Sequence, residues 1–292
     1  MSQAINRRDA VTAIAAGAAV VSTLGASAKE GEAMKGNIKQ SVSRWCFGNT
    51  VPDLKEFCKI CADMGLHGID LVGENDAKVM KDFGLVPTMY SPGSGSIRDG
   101  LNNPKLHAEQ MKTFETNIPL AAKYKARNLI TFSGERHGMN DYDGMRNCAD
   151  ILEKACKIAA NEGVIICMEL LNSKVDHKDY MCDHTDWGVT LVKMVNHPNF
   201  KLLNDLYHMQ IMEGDLMRNI RDHNHAFGHY HTGGNPGRND LDETQEVYWP
   251  AVMKAIVDTG YDGYVAHEFV PRAKDKDGAV KAQQHAVGVC DV

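Results

Sequence analysis

From residue 38 onward, short runs of apolar and β-branched residues alternate with longer stretches in which apolar positions recur every three or four residues. The runs predict strands at Gln40–Phe47, Gly68–Val72, Val86–Tyr90, Asn128–Phe132, Val164–Leu170, Lys201–Tyr207, Ala226–His231 and Gly263–Phe269. The intervening periodicity predicts helices over Leu54–Met64, His107–Lys125, Gly144–Asn161, Asp186–Val195, Gly214–His223 and Val247–Thr259, with a shorter, weaker one between Val72 and Val86. No Pro/Ser/Gly-rich linker breaks the alternation. Eight strands with intervening helices in about 250 residues is the size and rhythm of a single (β/α)8 barrel of the α/β class, whose chemistry lies at the C-terminal ends of the strands. An open doubly wound sheet is disfavoured, because Ser91–Ser96 lacks the Gly-Lys-Ser/Thr of a phosphate loop and no dinucleotide fingerprint follows any strand.

The one long apolar run outside this rhythm is Ala10–Ala28, rich in Ala and Gly, preceded by Asn6-Arg7-Arg8-Asp9 and closed by Ala26-Ser27-Ala28. That order predicts a twin-arginine-type signal peptide over residues 1–28, a short linker over 29–37 and the barrel over 38–292, so the precursor is expected to meet the twin-arginine export machinery and reach the periplasm. Eight cysteines in an exported chain raise the question of disulfides, yet Cys58 and Cys61 fall in a helical pattern and Cys167 in an apolar strand. They read as core, which a route carrying already folded proteins permits. The formal net charge of -6 repels polyanions, so nucleic acid is not an expected partner and a small molecule is. Homo-oligomerisation is left open.

Four successive strands end in groups that bind metals or move protons. Val164–Met168 leads to Glu169, Lys201–Asn204 to Asp205, Phe227–Tyr230 to His231, and Gly263–His267 to Glu268. The gaps of 36, 26 and 37 residues each match about one βα unit, which aims all four into one barrel mouth. Three carboxylates and an imidazole make an oxygen-rich site that calls for a divalent cation, Mg2+ or Mn2+ first, with Co2+ or Zn2+ as alternatives. An acid that ends a single strand is more often a helix cap or an ion-pair partner; four in register carry the argument. His229 points to the same side of its strand as His231 and competes with it, His231 being nearer the strand end. Around them, His208 is placed to donate to a substrate oxygen and Arg238, on a Pro-Gly turn, to clamp a carboxylate. Asn172, counted with the substrate-binding candidates, is expected to orient Glu169 or cap the next segment, and Trp45 to wall the substrate pocket at the end of the first strand.

The strings Met168-Glu169-Leu170-Leu171-Asn172, Asn204-Asp205-Leu206-Tyr207-His208-Met209-Gln210-Ile211-Met212-Glu213-Gly214-Asp215, Gly228-His229-Tyr230-His231 with Asn235-Pro236-Gly237-Arg238-Asn239, and Gly263-Tyr264-Val265 leading to Glu268-Phe269 carry a resemblance. Over residues 38 to 272 the chain resembles the hydroxypyruvate isomerase family of the xylose-isomerase-like (AP endonuclease family 2) TIM-barrel superfamily, which also holds ketose 3-epimerases and inosose dehydratases. The resemblance implies a divalent metal on Glu169, Asp205, His231 and Glu268, with the two glutamates as acid/base pair and His208 and Arg238 as substrate contacts. It implies isomerisation of a small hydroxy-carbonyl compound through an enediolate, with hydroxypyruvate going to tartronate semialdehyde. The alternatives are a sugar 3-epimerase, a dehydratase of a keto-sugar or keto-inositol, and a non-catalytic sugar-binding barrel. Hydroxypyruvate isomerases often carry glutamine at the position of His231, where the epimerases carry histidine.

Overall fold

A computed structural model describes residues 34–292 of the chain. The expected signal peptide at 1–28 and the first part of the linker lie outside the described residues. The linker's last residues are already tied down: the Lys35 amide donates to Asp291 Oδ2 at 2.8 Å, and Met34 packs on the core.

Nine parallel strand segments form one sheet. They are β1 (Lys39–Ser43), β2 (Gly68–Asp70), β3 (Val86–Pro87), β4 (Met89–Ser94), β5 (Asn128–Thr131), β6 (Ile165–Glu169), β7 (Phe200–Asp205), β8 (Phe227–Thr232) and β9 (Tyr264–His267). Their order is β3-β2-β1-β9-β8-β7-β6-β5-β4. Because β3 and β4 are separated only by Thr88, they are two halves of one barrel strand, β3 pairing with β2 and β4 with β5. The bridge between Val72 and Tyr90, with the Ser91 amide donating to Val72 O at 3.0 Å, brings the two edges together. The result is the expected barrel of eight parallel strands.

The helices outside it are α1 (Leu54–Asp63), α2 (Glu74–Met80), α3 (His107–Lys123), α4 (Asp141–Glu162), α5 (Thr185–Val195), α6 (Leu206–Met212), α7 (Leu216–His223), α8 (Trp249–Asp258) and α9 (Lys276–Cys290). Several strand predictions ran one or more residues too long, and two of the overruns fall where a helical turn begins. The first strand stops at Ser43, and Arg44–Phe47 is a 3-10 turn; the sixth stops at Asp205, where α6 begins. The reason at the second site is a cap: Asp205 Oδ1 accepts from the amides of Tyr207 (2.9 Å) and His208 (3.1 Å), so the apolar residues after it start a helix instead of extending the strand.

Strand alternation sorts side chains into the barrel interior and the layer beneath the helices. Met89, Ile130, Cys167 and Leu203 form a small apolar cluster of their own inside the barrel. Two residues further along their strands, Cys167 leads to Glu169 and Leu203 to Asp205, which is why acids appear at the mouth above an apolar plug. All eight cysteines are buried and unbonded, as expected for core residues. Among the described residues, no helix is long and apolar enough to cross a membrane.

Candidate active site and metal centre

Register places the site. Asp205 lies beside His231 across β7 and β8, and His231 beside Ala266 across β8 and β9, so Glu268 follows two residues on, just past the end of β9. Glu169 ends β6. The four side chains offer ligand atoms that all lie within 4.8 Å of one another, and all four residues are buried. His231 Nδ1 is their hub, 2.5 Å from Glu268 Oε2, 3.6 Å from Glu169 Oε1 and 3.7 Å from Asp205 Oδ2. The four strand-end residues chosen from sequence are therefore brought together.

Three buried carboxylates in one place repel one another, and the chain balances them with its own cation. Arg238 Nη2 contacts Asp205 Oδ2 at 2.7 Å and Glu268 Oε2 more closely still, its Nε donates to the Glu268 carbonyl at 3.1 Å, and Nη1 lies 2.7 Å from His208 Nε2. The loop that delivers it needs two left-handed residues, Gly237 (φ 92) and Arg238 itself (φ 54). A side chain in that region costs about 1 kcal/mol, which these contacts offset. Arg238 is thus anchored on the cluster's carboxylates at the cavity edge, more tightly tied than the free carboxylate clamp expected from sequence.

The environment separates the acids. Burial pushes Glu169 up to about 7, with the Glu268 charge adding to the effect. Glu268 is equally buried, but the Arg238 guanidinium and His231 outweigh that and hold it below the usual carboxylate range. Asp205 is likewise held low by Arg238 and His208 against its burial. His208 is driven down to about 3 by burial, which keeps its imidazole neutral.

A metal fits these residues. His231 Nδ1 is buried without a well-directed hydrogen bond and is aimed at three carboxylate oxygens, an arrangement suited to a divalent cation with mixed oxygen and nitrogen ligands. The guanidinium at Asp205 and Glu268 marks the same place as one that attracts positive charge. Asp205 answers both readings of a strand-end acid, since Oδ1 caps α6 while Oδ2 faces the cluster.

A cavity of about 750 Å3 opens above the cluster. Glu169, Glu268, His208 and Arg238 lie on its polar side; Leu71, Ile97, Ile130, Phe132, Leu171 and Ile211 wall the rest. Trp45 does line it, half-exposed, and its indole Nε1 also donates to Glu268 Oε1 at 2.6 Å, so it positions that carboxylate as well as walling the pocket. Asn172 caps the next segment, the second of its two expected roles, and is corrected as a substrate contact and as a partner of Glu169. It does not line the cavity and does not reach Glu169: its Nδ2 lies 2.6 Å from His208 Nδ1 and 2.7 Å from Asp176 Oδ2, while its Oδ1 accepts from the amides of Val175 and Asp176. It acts through His208 and caps the turn after β6.

Sequence reading missed Asp70, at the end of β2. It is fully buried, accepts from Thr88 Oγ1 at 2.6 Å, and lies 2.8 Å from His231 Nε2 and 3.0 Å from His229 Nε2. Although burial opposes its charge, the two histidines keep its carboxyl well below the usual range. The signal was present, an acid ending the apolar run Gly68-Ile69, but it stands apart from the other four in sequence. His229 faces Asp70 and Asn128 below the cluster and forms with Asp70 and His231 a second buried group of metal-competent side chains, while His231 is the histidine that faces the three carboxylates. His177 and Tyr207, given little or no weight beforehand, line the cavity.

Known proteins agree with this architecture. The family model of the xylose isomerase-like TIM barrel matches residues 58–286. A human putative hydroxypyruvate isomerase is 30% identical over 127 residues, 44% of this chain and 46% of that protein, so the match spans about half of that relative's length. A 2-oxo-tetronate isomerase of Pectobacterium atrosepticum is 24% identical over 239 residues, 78% of this chain and 90% of that one. Among solved structures, an AP endonuclease, family 2, from Brucella melitensis is 26% identical, covers 82% of this chain and 96% of its own, and superposes with a TM-score of 0.70. The matched span starts in α1 and ends in α9, taking in every barrel strand after the first and all four cluster residues, and on that ground the chain belongs to the xylose isomerase-like TIM barrel family.

Proposed function

We propose that the protein is a divalent-metal-dependent isomerase that moves a proton between carbons beside a carbonyl in a small hydroxy-carbonyl or sugar-like substrate. The observation that carries this reading is the pair Glu169 and Glu268, placed around one imidazole and one further carboxylate and both lining the cavity. Glu169, Asp205, His231 and Glu268 would hold the cation. When bound, it supplies Lewis-acid stabilisation of negative charge on the substrate's oxygens. The rest is done by the chain. One glutamate takes the proton next to the carbonyl and the other returns one, their roles exchanging with the direction of reaction. His208 and Arg238, in contact on the polar side of the cavity, would together meet a substrate oxygen, and Trp45 fixes Glu268 by its indole N–H.

The family relatives named for hydroxypyruvate and 2-oxo-tetronate favour a short 2-oxo acid. Arg238 supplies the cationic group such a substrate needs. A second reading, epimerisation of a ketose, is favoured by the cavity, whose 750 Å3 is far more than a three-carbon acid fills, and by histidine as the nitrogen ligand.

Proton NMR in D2O with Mg2+, against hydroxypyruvate and a panel of ketoses and keto-sugars, tests the proposal. Deuterium is expected next to a carbonyl of at least one compound, lost with EDTA and restored by Mg2+. The product's connectivity separates isomerisation from epimerisation. No exchange in any compound by metal-loaded protein would overturn the proposal. For the acid reading, Arg238→Lys, which cannot keep four directed contacts, should raise KM for the anionic substrate by about tenfold or more and for a neutral ketose much less. Equal effects on both would remove Arg238 from carboxylate recognition.

A further inference from the structure

We infer that Asp70 is a positioning residue that sets the tautomer of His231 and so makes its Nδ1 a metal ligand. This rests on the reading of the four-residue cluster as a divalent-metal site. Asp70 stands on β2, three strands round the barrel from β8, and reaches across the interior beneath the cluster. Its Oδ2 is 2.8 Å from His231 Nε2. An ionised carboxylate has no proton to give, so the hydrogen of that contact belongs to Nε2. As a metal ligand His231 must be a neutral imidazole with a single N–H; with that hydrogen on Nε2, the Nδ1 lone pair is left for the cation, on the side where Glu169, Asp205 and Glu268 gather. In the opposite tautomer an N–H would occupy the ligand position and two lone pairs would face each other over the Asp70 contact, between two fully buried side chains.

The carboxylate is itself held in place. Thr88 Oγ1 donates to Oδ1, and His229 Nε2 approaches the same oxygen at 3.0 Å. The His229 ring is in turn set by Asn128, whose Nδ2 lies 3.2 Å from Nδ1 and also donates to the Thr88 carbonyl. With both oxygens engaged from different strands, Asp70 cannot rotate away from His231. A chain of contacts from β5 through β8 and β2 therefore ends at one imidazole nitrogen. Such carboxylate–histidine pairs behind a metal fix ring orientation and raise ligand basicity, and losing the carboxylate weakens metal binding by about 10- to 100-fold.

Asp70→Asn keeps the shape, but one amide oxygen cannot accept from two imidazoles and Thr88. Titrating the metal-free protein with Mn2+ by calorimetry should show a Kd raised about 10- to 100-fold in Asp70→Asn. In 15N-histidine-labelled, Zn2+-loaded wild type, one imidazole should show metal-bound Nδ1 and a protonated, slowly exchanging Nε2, and that Nε2–H signal should move or vanish in Asp70→Asn. A Kd within twofold of wild type, with the His231 nitrogen signals unchanged, would overturn the proposal. Should the variant not fold, the wild-type spectrum alone still decides: a metal-bound Nε2 with a protonated Nδ1 contradicts it. His231→Ala separates the two levels of the argument. If that variant binds Mn2+ as wild type does, the metal reading itself fails and the role of Asp70 falls with it.

Discussion

Glu268→Gln is expected to lower kcat by about a thousandfold or more, and Glu169→Gln by a similar factor, on whichever compound exchanges deuterium with the wild type. A positioned acid or base contributes roughly 10²- to 10⁴-fold, and each of these residues would serve as metal ligand as well. Glutamine is close to isosteric. At 268 its amide oxygen still accepts from the Trp45 indole, so the loop after β9 should keep its conformation while the proton-accepting charge is gone. The double variant should be little worse than either single one, because residues that act as a unit lose their joint effect when the first is removed. Steady-state kinetics with thermal melts as a folding control checks this. Turnover within about tenfold of wild type in either single variant would remove that glutamate from the chemistry.

Removing the side chain of Asp205 should abolish the response to metal. A cation at 100 times its Kd stabilises a protein by about 2.7 kcal/mol. For a chain of this size that raises the melting temperature by roughly 5–10 °C. In Asp205→Ala no such rise is expected at the same Mn2+ concentration. The metal-free melting temperature should also fall, since the two amides capped by Oδ1 lose a partner worth about 1 kcal/mol and Arg238 loses a counter-charge. Asp205→Asn separates the two jobs, because an amide oxygen can still cap α6. It should melt above Asp205→Ala without metal and yet show the same lost response. A full metal-induced rise in either variant would take Asp205 off the ligand set.

Much of this was legible because it depends on periodicity. Strands alternate in and out, so an acid ending an apolar run at the barrel mouth points inward wherever the strand is in the sheet, and Glu169, Asp205, His231 and Glu268 could be chosen on that ground. Their bland alternatives were also sound: Asp205 is a helix cap and a ligand candidate at once, through different oxygens. The strand containing Asp205 was drawn two residues too long because Leu206 and Tyr207 continue its apolar pattern. Only the cap, a contact between a side chain and the amides after it, tells the helix from the strand.

What the sequence determined by itself was the eight-strand rhythm, the buried cysteines and the four groups at the barrel mouth, since each follows from spacing along the chain. What only the tertiary structure decided was who faces whom. Asn172 was read with Glu169, its near neighbour in sequence, but turns to His208, 36 residues away. Arg238 settles on the carboxylates of β7 and the end of β9. Asp70 supports His231 across 161 residues of chain. Closing a sheet into a barrel makes neighbours of strand ends that no local pattern connects, and in a buried polar site the pairing of donors with acceptors, more than the order of residues, selects which of those neighbours bind.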